Sequence, residues 1–420
     1  MRLRRFNLKR TKPWSQRRRG VALIMVLLVV MAMVVLAGNF ASNMRVEQIL
    51  ARNLANEVRL EWLCRSGMEL SRYLLGQQFA NQREPYTTLL QRWAGGPGGY
   101  AETSGDGSET FLDAIDINER GVAEGSLLGL LQRFDGDEGW QKYLERASVE
   151  VRIVDLERKI NINWAIPHNR PRDDGTGYTY PYPNRPLQEG RSLIEVAMGP
   201  DYLNVPNTEH GVIRDSLKDW IDSNDDRTPP NGFDGDEYTR QYGYRPKNDF
   251  VDDLSELKMV NGIHETREWL VSGDIPDDLE EGMRPRFLIP DLFTPISRGK
   301  ININTASREV LMLVDPNMEL CVDRVMEHRG GSTHIDAPED MSDDRPIQQV
   351  SELLSLGYPT TDIGRTSSYL GQIFDVQSWF FEITVKATTG EGQTKELVAV
   401  VFRQDDRNVK VLHMYWKSGG

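Results

Sequence analysis

A chain of 420 residues is long enough for two or three domains with separate cores. Its net charge of −13 hides an asymmetry: residues 1–20 carry nine Lys or Arg and no acid, so residues 21–420 hold −22. So acidic a body excludes nucleic-acid binding, which needs a basic face, and two cysteines, Cys64 and Cys321, are too few for a disulfide framework or a metal–thiolate site. A single long-range disulfide is the one pairing left open.

From Val21 to Gly38 no side chain is charged, and the next charge is Arg45. Eighteen residues at about 1.5 Å each nearly cover a hydrocarbon core of about 30 Å, with Asn39 to Asn43 at the interface. Nine positive charges before the span predict a cytoplasmic N-terminus and a body on the other side of the membrane. No Ala-x-Ala site opens into a loop behind the span, as a cleaved secretory signal would require. Instead Val46, Ile49, Leu50, Leu54, Val58, Trp62 and Leu63 keep helical spacing, so the span continues into an amphipathic helix that ends near Gly76.

A basic leader ending in Gly, then a membrane helix that runs unbroken into an amphipathic one, resembles the N-terminus of type IV prepilins and type II secretion pseudopilins. The resemblance implies that a membrane peptidase cuts between Gly20 and Val21 and methylates the new N-terminus. It also puts Glu at the fifth mature position, where this chain has Met25.

Further along, residues 95–108 (GGPGGYAETSGDGS) read as a linker and LLGLL at 127–131 as helix. SVEVRIVDL at 148–156 alternates as a strand does. WFFEITVKATT (379–389), ELVAVVFR (396–403) and VKVLHMYW (409–416), joined by GEGQ and QDDRN turns, predict an antiparallel meander. More than 200 residues separate the first strand from this meander, too many for a loop. Helices are expected there at 190–198, 209–224, 251–261, 264–272, 305–314, 317–329 and 346–356. The fold class is therefore α+β: a pilin-like domain, with the long N-terminal transmembrane helix and an antiparallel sheet, carrying a large inserted, mainly α-helical domain. That insertion brings the strand at 148 beside the C-terminal strands. Two pentapeptides recur, KININ at 159–163 and 300–304 and FDGDE at 134–138 and 233–237, and they locate equivalent turns.

In KININTASREVL (300–311), Asn304 or Thr305 is placed to cap a helix beginning at Ala306. Similar phrases open helix-hairpin-helix modules, but the Gly-containing hairpin those modules need is absent from DPNMELCVDRVMEHRGG. DWIDSNDDRTPPNGFDGDEY (219–238) is the densest acidic stretch, with seven carboxylates in twenty residues. Two readings stay open: a solvated loop held by caps and Asx-turns, or a site for a hard cation such as calcium, which takes six to eight oxygens. The spacing is not that of an EF-hand loop. The six histidines show no HExxH spacing and there is no GxSxG, P-loop or GxGxxG at a strand-to-helix turn, so no enzyme is expected.

The missing fifth-position Glu, the length, a helical insertion flanked by two KIN-type phrases, and DWID followed by a Gly/acid loop and Tyr238 together resemble the K-type minor pseudopilin of type II secretion. What this implies is a non-enzymatic protein at the pseudopilus tip, complexed with I- and J-type minor pseudopilins, that starts assembly for protein export across the outer membrane. Other pseudopilins, the prepilin peptidase, the secretin and secreted substrates are further implied contacts. The implied location is the inner membrane, single-pass, with the C-terminal body periplasmic. Calcium is implied as a structural cofactor, with Asp222, Asn224, Asp226, Asp234, Asp236 and Glu237 as ligands. Asp222 matches the family motif; Asn224 stands where Asp is usual, and Gly235 stands where a carboxylate is usual, with Asp236 one place on. The expected boundaries are leader 1–20, transmembrane segment 21–43, first pilin-like part 44–164, helical insertion 165–370 and C-terminal strands 371–420. The other two readings are a minor pilin of a type IV pilus or related filament and a membrane-anchored periplasmic hydrolase.

Overall fold

The computed structural model describes residues 16–80, 84–94, 115–117, 123–126, 147–166, 191–329, 345–360, 363–389 and 392–417. The linker at 95–108, LLGLL at 127–131, FDGDE at 134–138, His168, His334 and the leader before Gln16 lie outside them. Helix α1 spans Gln16–Ala80. Residues through Glu61 form one compact unit and those from Trp62 onward a second. In the first unit the apolar side chains Leu23 to Leu36 are all exposed, the state expected of a segment whose solvent is lipid rather than a protein core.

The second unit contains a six-stranded antiparallel sheet of order β1-β2-β3-β8-β9-β10. Its strands are β1 (Ile115–Ile117), β2 (Ala123–Ser126), β3 (Ser148–Asp155), β8 (Phe380–Thr388), β9 (Thr394–Arg403) and β10 (Val409–Lys417). The alternation read from the sequence holds in β8, where Phe381, Ile383, Val385 and Ala387 are fully buried and Lys386 is exposed. Across β9 their partners are Val401, Ala399, Leu397 and Lys395. Leu63, Cys64, Met68 and Leu75 of α1 are buried against this face: the Cys64 Sγ donates to the carbonyl oxygens of Lys395 and Val385 at 3.3 and 3.6 Å. Burial of each such large apolar side chain is worth about 1.5–3 kcal/mol. Both cysteines are free and buried, so no disulfide links them.

The strand at 148 does pair with the C-terminal strands: β3 runs against β8 over its whole length, from Ser148↔Thr388 to Asp155↔Phe381. Everything between Asp155 and Phe380 is thus an insertion between neighbouring strands. It contains two two-stranded parallel pairs: β4 (Ile160–Asn161) with β5 (Phe293–Thr294), and β6 (Ile301–Asn302) with β7 (Phe374–Asp375). Its helices among the described residues are α2 (Leu193–Ala197), α3 (Asn207–Ile221), α4 (Gly235–Gln241), α5 (Trp269–Ser272), α6 (Ile289–Leu292), α7 (Arg308–Val314), α8 (Val322–His328) and α9 (Ile363–Ile373).

Five expected helices are shorter or tighter, 190–198 being helical only in α2. The segments at 251–261 and 346–356 are 3-10 turns, Leu254–Met259 and Val350–Leu354; 264–272 is helical only in α5; and 317–329 breaks at Cys321 into a 3-10 turn and α8. Asp253 with Glu256, and Gln349 with Glu352, close capping boxes that fix where these two 3-10 turns begin. At 305–314 the cap is Ser307, whose Oγ accepts from Val310 N–H, and the helix starts at Arg308 rather than Ala306.

The two KININ segments prove equivalent in three dimensions. Asn161 Oδ1 accepts from Asn163 N–H at 3.0 Å, and Asn302 Oδ1 accepts from Asn304 N–H at 2.9 Å. Asn163 then brackets Val251, accepting from its N–H and donating to its C=O at 2.7 and 3.0 Å; Asn304 brackets Ile347 in the same way at 2.8 and 2.9 Å. Val251 and Ile347 lead into VDDLSEL and IQQVSEL, the two capped turns just described. Helices α6 and α9 each end in a Phe that opens the strand paired with KININ. The insertion is therefore a structural duplication, its first copy lengthened by the acidic loop.

Candidate functional site

Two polar constellations stand out. The first is the junction where the chain leaves the sheet and returns. Asp155, at the end of β3 and 1% exposed, accepts from Thr305 Oγ1 and Ser378 Oγ, both at 2.5 Å, and from Asn302 Nδ2 at 3.3 Å. Glu157 accepts from the backbone N–H groups of Trp379 at 2.7 Å and Arg298 at 3.1 Å. Arg403, buried between the rings of Phe79 and Phe381, donates to Thr87 Oγ1 at 2.8 Å and Ser378 O at 2.6 Å. The two carboxylates thus fasten the outgoing strand to the returning one and to the second KININ copy. Burial pushes the Asp155 carboxyl above its usual range; burial and the neighbouring Asp155 charge push Glu157 up to about 8. Burial lowers Arg403 to about 10, while Asp155 and Glu157 pull it the other way. No local sequence signal reveals this cluster, because its members are spread from Thr87 to Arg403.

The second constellation is the acidic loop. Helix α3 ends at Ile221, so the expected helix at 209–224 stops short and Asp222 becomes its C-terminal cap, with its N–H on Lys218 O at 2.9 Å. Asp222 is 5% exposed, and its Oδ1 is buried with no hydrogen-bond partner. Burial raises its carboxyl from the usual range against the pull of a backbone N–H from Asn224. Asn224 Oδ1 accepts from Asp226 N–H at 2.7 Å, an Asx-turn that bends the loop. Asp234 caps α4: its Oδ1 accepts from Glu237 N–H at 2.9 Å, and Glu237 Oε2 accepts from Asp234 N–H at 3.3 Å. Glu237 Oε1 also meets Arg227 at 3.3 Å, and Asp236 is exposed beside them.

Chain segments 222–227 and 234–237 thus approach one another, the Arg227–Glu237 ion pair being the measured link. Asp225, not among the expected ligands, closes the gap. Its Oδ1 accepts from Asn248 Nδ2 at 2.7 Å and lies 3.3 Å from where a Cβ on Gly235 would sit. Beneath the loop, the Asp219 carboxylate accepts from Thr228 N–H at 3.0 Å, and Tyr238 packs on Phe233 and Trp220 at ring separations of 4.9 and 5.7 Å. Among the described residues no three His, Cys, Asp or Glu side chains converge as a metal site. The chemistry of the donor set, carboxylates with amide and backbone carbonyls, suits a hard cation, and Asp222 Oδ1 is the buried oxygen that such an ion would satisfy. The described histidines do local work, as with His210 Nε2 on Val205 O at 2.8 Å and His264 Nδ1 near Lys258 O at 2.9 Å.

A long N-terminal helix laid on an antiparallel sheet, with a duplicated helical insertion between adjacent strands, defines a pilin-like protein of the enlarged kind. A chain in the crystal structure of the GspK-GspI-GspJ complex from the enterotoxigenic Escherichia coli type 2 secretion system shares this fold. That chain matches at a TM-score of 0.52 and 16% identity, covering 88% of this chain and 99% of its own length. The comparison with curated proteins returned no match. Residues 201–267, which contain α3, the acidic loop and α4, match the family model described as type II secretion system (T2SS), protein K. That segment is similar to this family, and the solved chain shares the fold. The segment of α1 from Val21 onward is long and apolar enough to cross a bilayer.

Proposed function

We propose that the chain caps the tip of the pseudopilus together with I- and J-type minor pseudopilins and initiates its assembly. The observation that carries this reading is the insertion of more than 200 residues between β3 and β8, bulk that a subunit stacked repeatedly along a filament has no room for. Met25 supports it. A subunit with nothing added before it has no neighbouring N-terminal amine to pair with a Glu at that position, and an unpaired carboxylate in hydrocarbon costs about 2.5–3.5 kcal/mol. The anchor lies in the inner membrane with the basic leader in the cytoplasm and the body in the periplasm, and the prepilin peptidase cuts between Gly20 and Val21 and methylates Val21. Co-expression of the full chain with I- and J-type subunits and the peptidase tests this. A shortened chain recovered in a complex with both partners is expected, and an unprocessed chain recovered alone refutes the reading.

The acidic loop of this reading holds calcium structurally. Asp222, Asn224, Asp226, Asp234, Asp236 and Glu237 supply oxygens, and the ion neutralises their mutual repulsion; Asp234 and Glu237 would give up part of their capping box to do so. Melting of the full chain with calcium and with chelator checks it: a calcium-dependent rise in Tm that Asp222→Ala removes is expected, and equal melting temperatures refute it.

A further inference from the structure

Seven large apolar side chains beyond residue 80 are exposed among the described residues. Met259, Met283 and Leu320 are scattered, but Val411, Leu412, Met414 and Tyr415 share one strand, β10. Single exposed apolar groups are ordinary, whereas a run on one element marks a contact surface. Among the described residues β10 is also the edge of the six-stranded sheet, and no described strand pairs with its outward backbone N–H and C=O groups.

Register sorts these side chains onto two faces. Val411, Met414 and Trp416 stand opposite Val401, Ala399 and Leu397, the residues of β9 that face α1. Helix α1 is bonded to the start of the strand, where Arg72 Nε and Nη2 donate to Val409 O at 2.9 and 2.6 Å, and among the described residues the side chains of this face beyond Val409 are exposed or half-buried. Lys410, His413, Tyr415 and Lys417 lie on the opposite face, with Leu412 in the bulge between. Residues Lys410 to Tyr415 are exposed without a break. A partner helix could cover one of these faces; an added strand sets its side chains beside those on both faces and also pairs the outward backbone groups. Charge narrows the occupant further. β10 carries Lys410, His413 and Lys417 and no acid, Lys417 being shared with Glu396 of β9 at 3.2 Å, so the edge attracts an acidic segment and repels a second copy of itself.

The geometry points to β10 as a docking edge that takes, by strand addition, an extended segment of a neighbouring tip subunit with apolar residues towards the α1 side and acidic residues towards Lys410, His413 and Lys417. This rests on the reading of the chain as a tip subunit that assembles with other minor pseudopilins. Hydrogen exchange on the full chain, alone and after co-purification with the co-expressed I- and J-type subunits, tests it. Exchange of the 409–417 backbone is expected to slow at least tenfold in the complex, and Lys410→Glu with Lys417→Glu is expected to reduce partner recovery at least tenfold, the chain itself melting as before. A complex that forms while exchange at 409–417 is unchanged overturns the docking edge and leaves the tip assignment standing. If the unaltered chain recovers neither partner, the tip assignment fails and the docking edge fails with it.

Discussion

Asn304→Ala removes the side chain that holds the second copy of the duplicated insertion together. Asn304 is 2% exposed and makes two hydrogen bonds to the backbone of Ile347, at 2.8 and 2.9 Å. Ile347 is itself fully buried, so neither its N–H nor its C=O can turn to water when the amide is deleted. Each orphaned group costs about 1–3 kcal/mol, so the substitution is expected to destabilise by about 2–5 kcal/mol. For a body of this size, at an unfolding entropy of about 2.1 cal/mol/K per residue, that corresponds to a fall in Tm of roughly 3–7 °C. Asn163→Ala should match it, because Asn163 holds Val251 by the same pair of bonds and reaches Pro295 O besides. The assay is thermal melting of the purified full chain followed by near-ultraviolet circular dichroism, with hydrogen exchange at Ile347 and Val251. If either variant melted within about 2 °C of the unaltered chain, or if the two differed grossly, the equivalence of the KININ copies as paired locks would be wrong.

Three other outcomes are expected. Glu157, held at about 8 against an ordinary 4.5, contributes stability that is complete below pH 4.5 and is lost as pH rises through 8, at up to about 1.4 kcal/mol per unit; Asp155 shifts in the same direction. Melting between pH 6 and 8.5 should therefore fall less steeply in Glu157→Gln, and equal slopes would count against the buried protonated carboxyl. Gly232→Ala puts a Cβ 2.5 Å from Thr228 O and 2.6 Å from Thr228 N, and onto Asp219 Oδ2, so the loop must shift; a loss of at least about 2 kcal/mol is expected in a urea titration, and an unchanged midpoint would show that the loop yields freely. Met25→Glu should leave the chain confined to the filament tip, since the insertion is unaltered; labelling it along the filament shaft would show that the bulk imposes no such limit.

The parts of the fold legible in the sequence are those fixed by local periodicity. β3, β8, β9 and β10 announce themselves by alternation, and the pairing of β3 with β8 follows from the size of what lies between. The insertion was harder to read because its side chains are spent over long distances. Thr305 looks like a helix cap but gives its hydroxyl to Asp155, and Asn304 looks like another but is committed to Ile347, which leaves the cap to Ser307. Likewise 251–261 reads as a helix, whereas it holds a 3-10 turn that starts at the Asp253–Glu256 capping box. In the acidic loop the sequence shows which oxygens are available but not which are already engaged: Asp234 and Glu237 hold each other, Asp225 is held by Asn248, and Asp222 keeps a buried oxygen unmatched.

The side-by-side exit and return of the insertion also bears on how the chain is made. Asp155 and Phe381 are cross-strand neighbours, so the whole insertion is, to the sheet, one oversized hairpin turn. As the chain is made, β3 emerges first and waits for more than 200 residues before β8 arrives to cover its edge. That wait leaves a strand with a bare backbone edge, a hazard for mispairing. The duplicated insertion, rich in short-range caps and closed by its own two-stranded pairs, can fold while the sheet is still incomplete, bringing its two ends together and shortening the search β8 must make. An excision that joins Asp155 directly to Phe380 through a short turn would turn this slow, late closure into a local one.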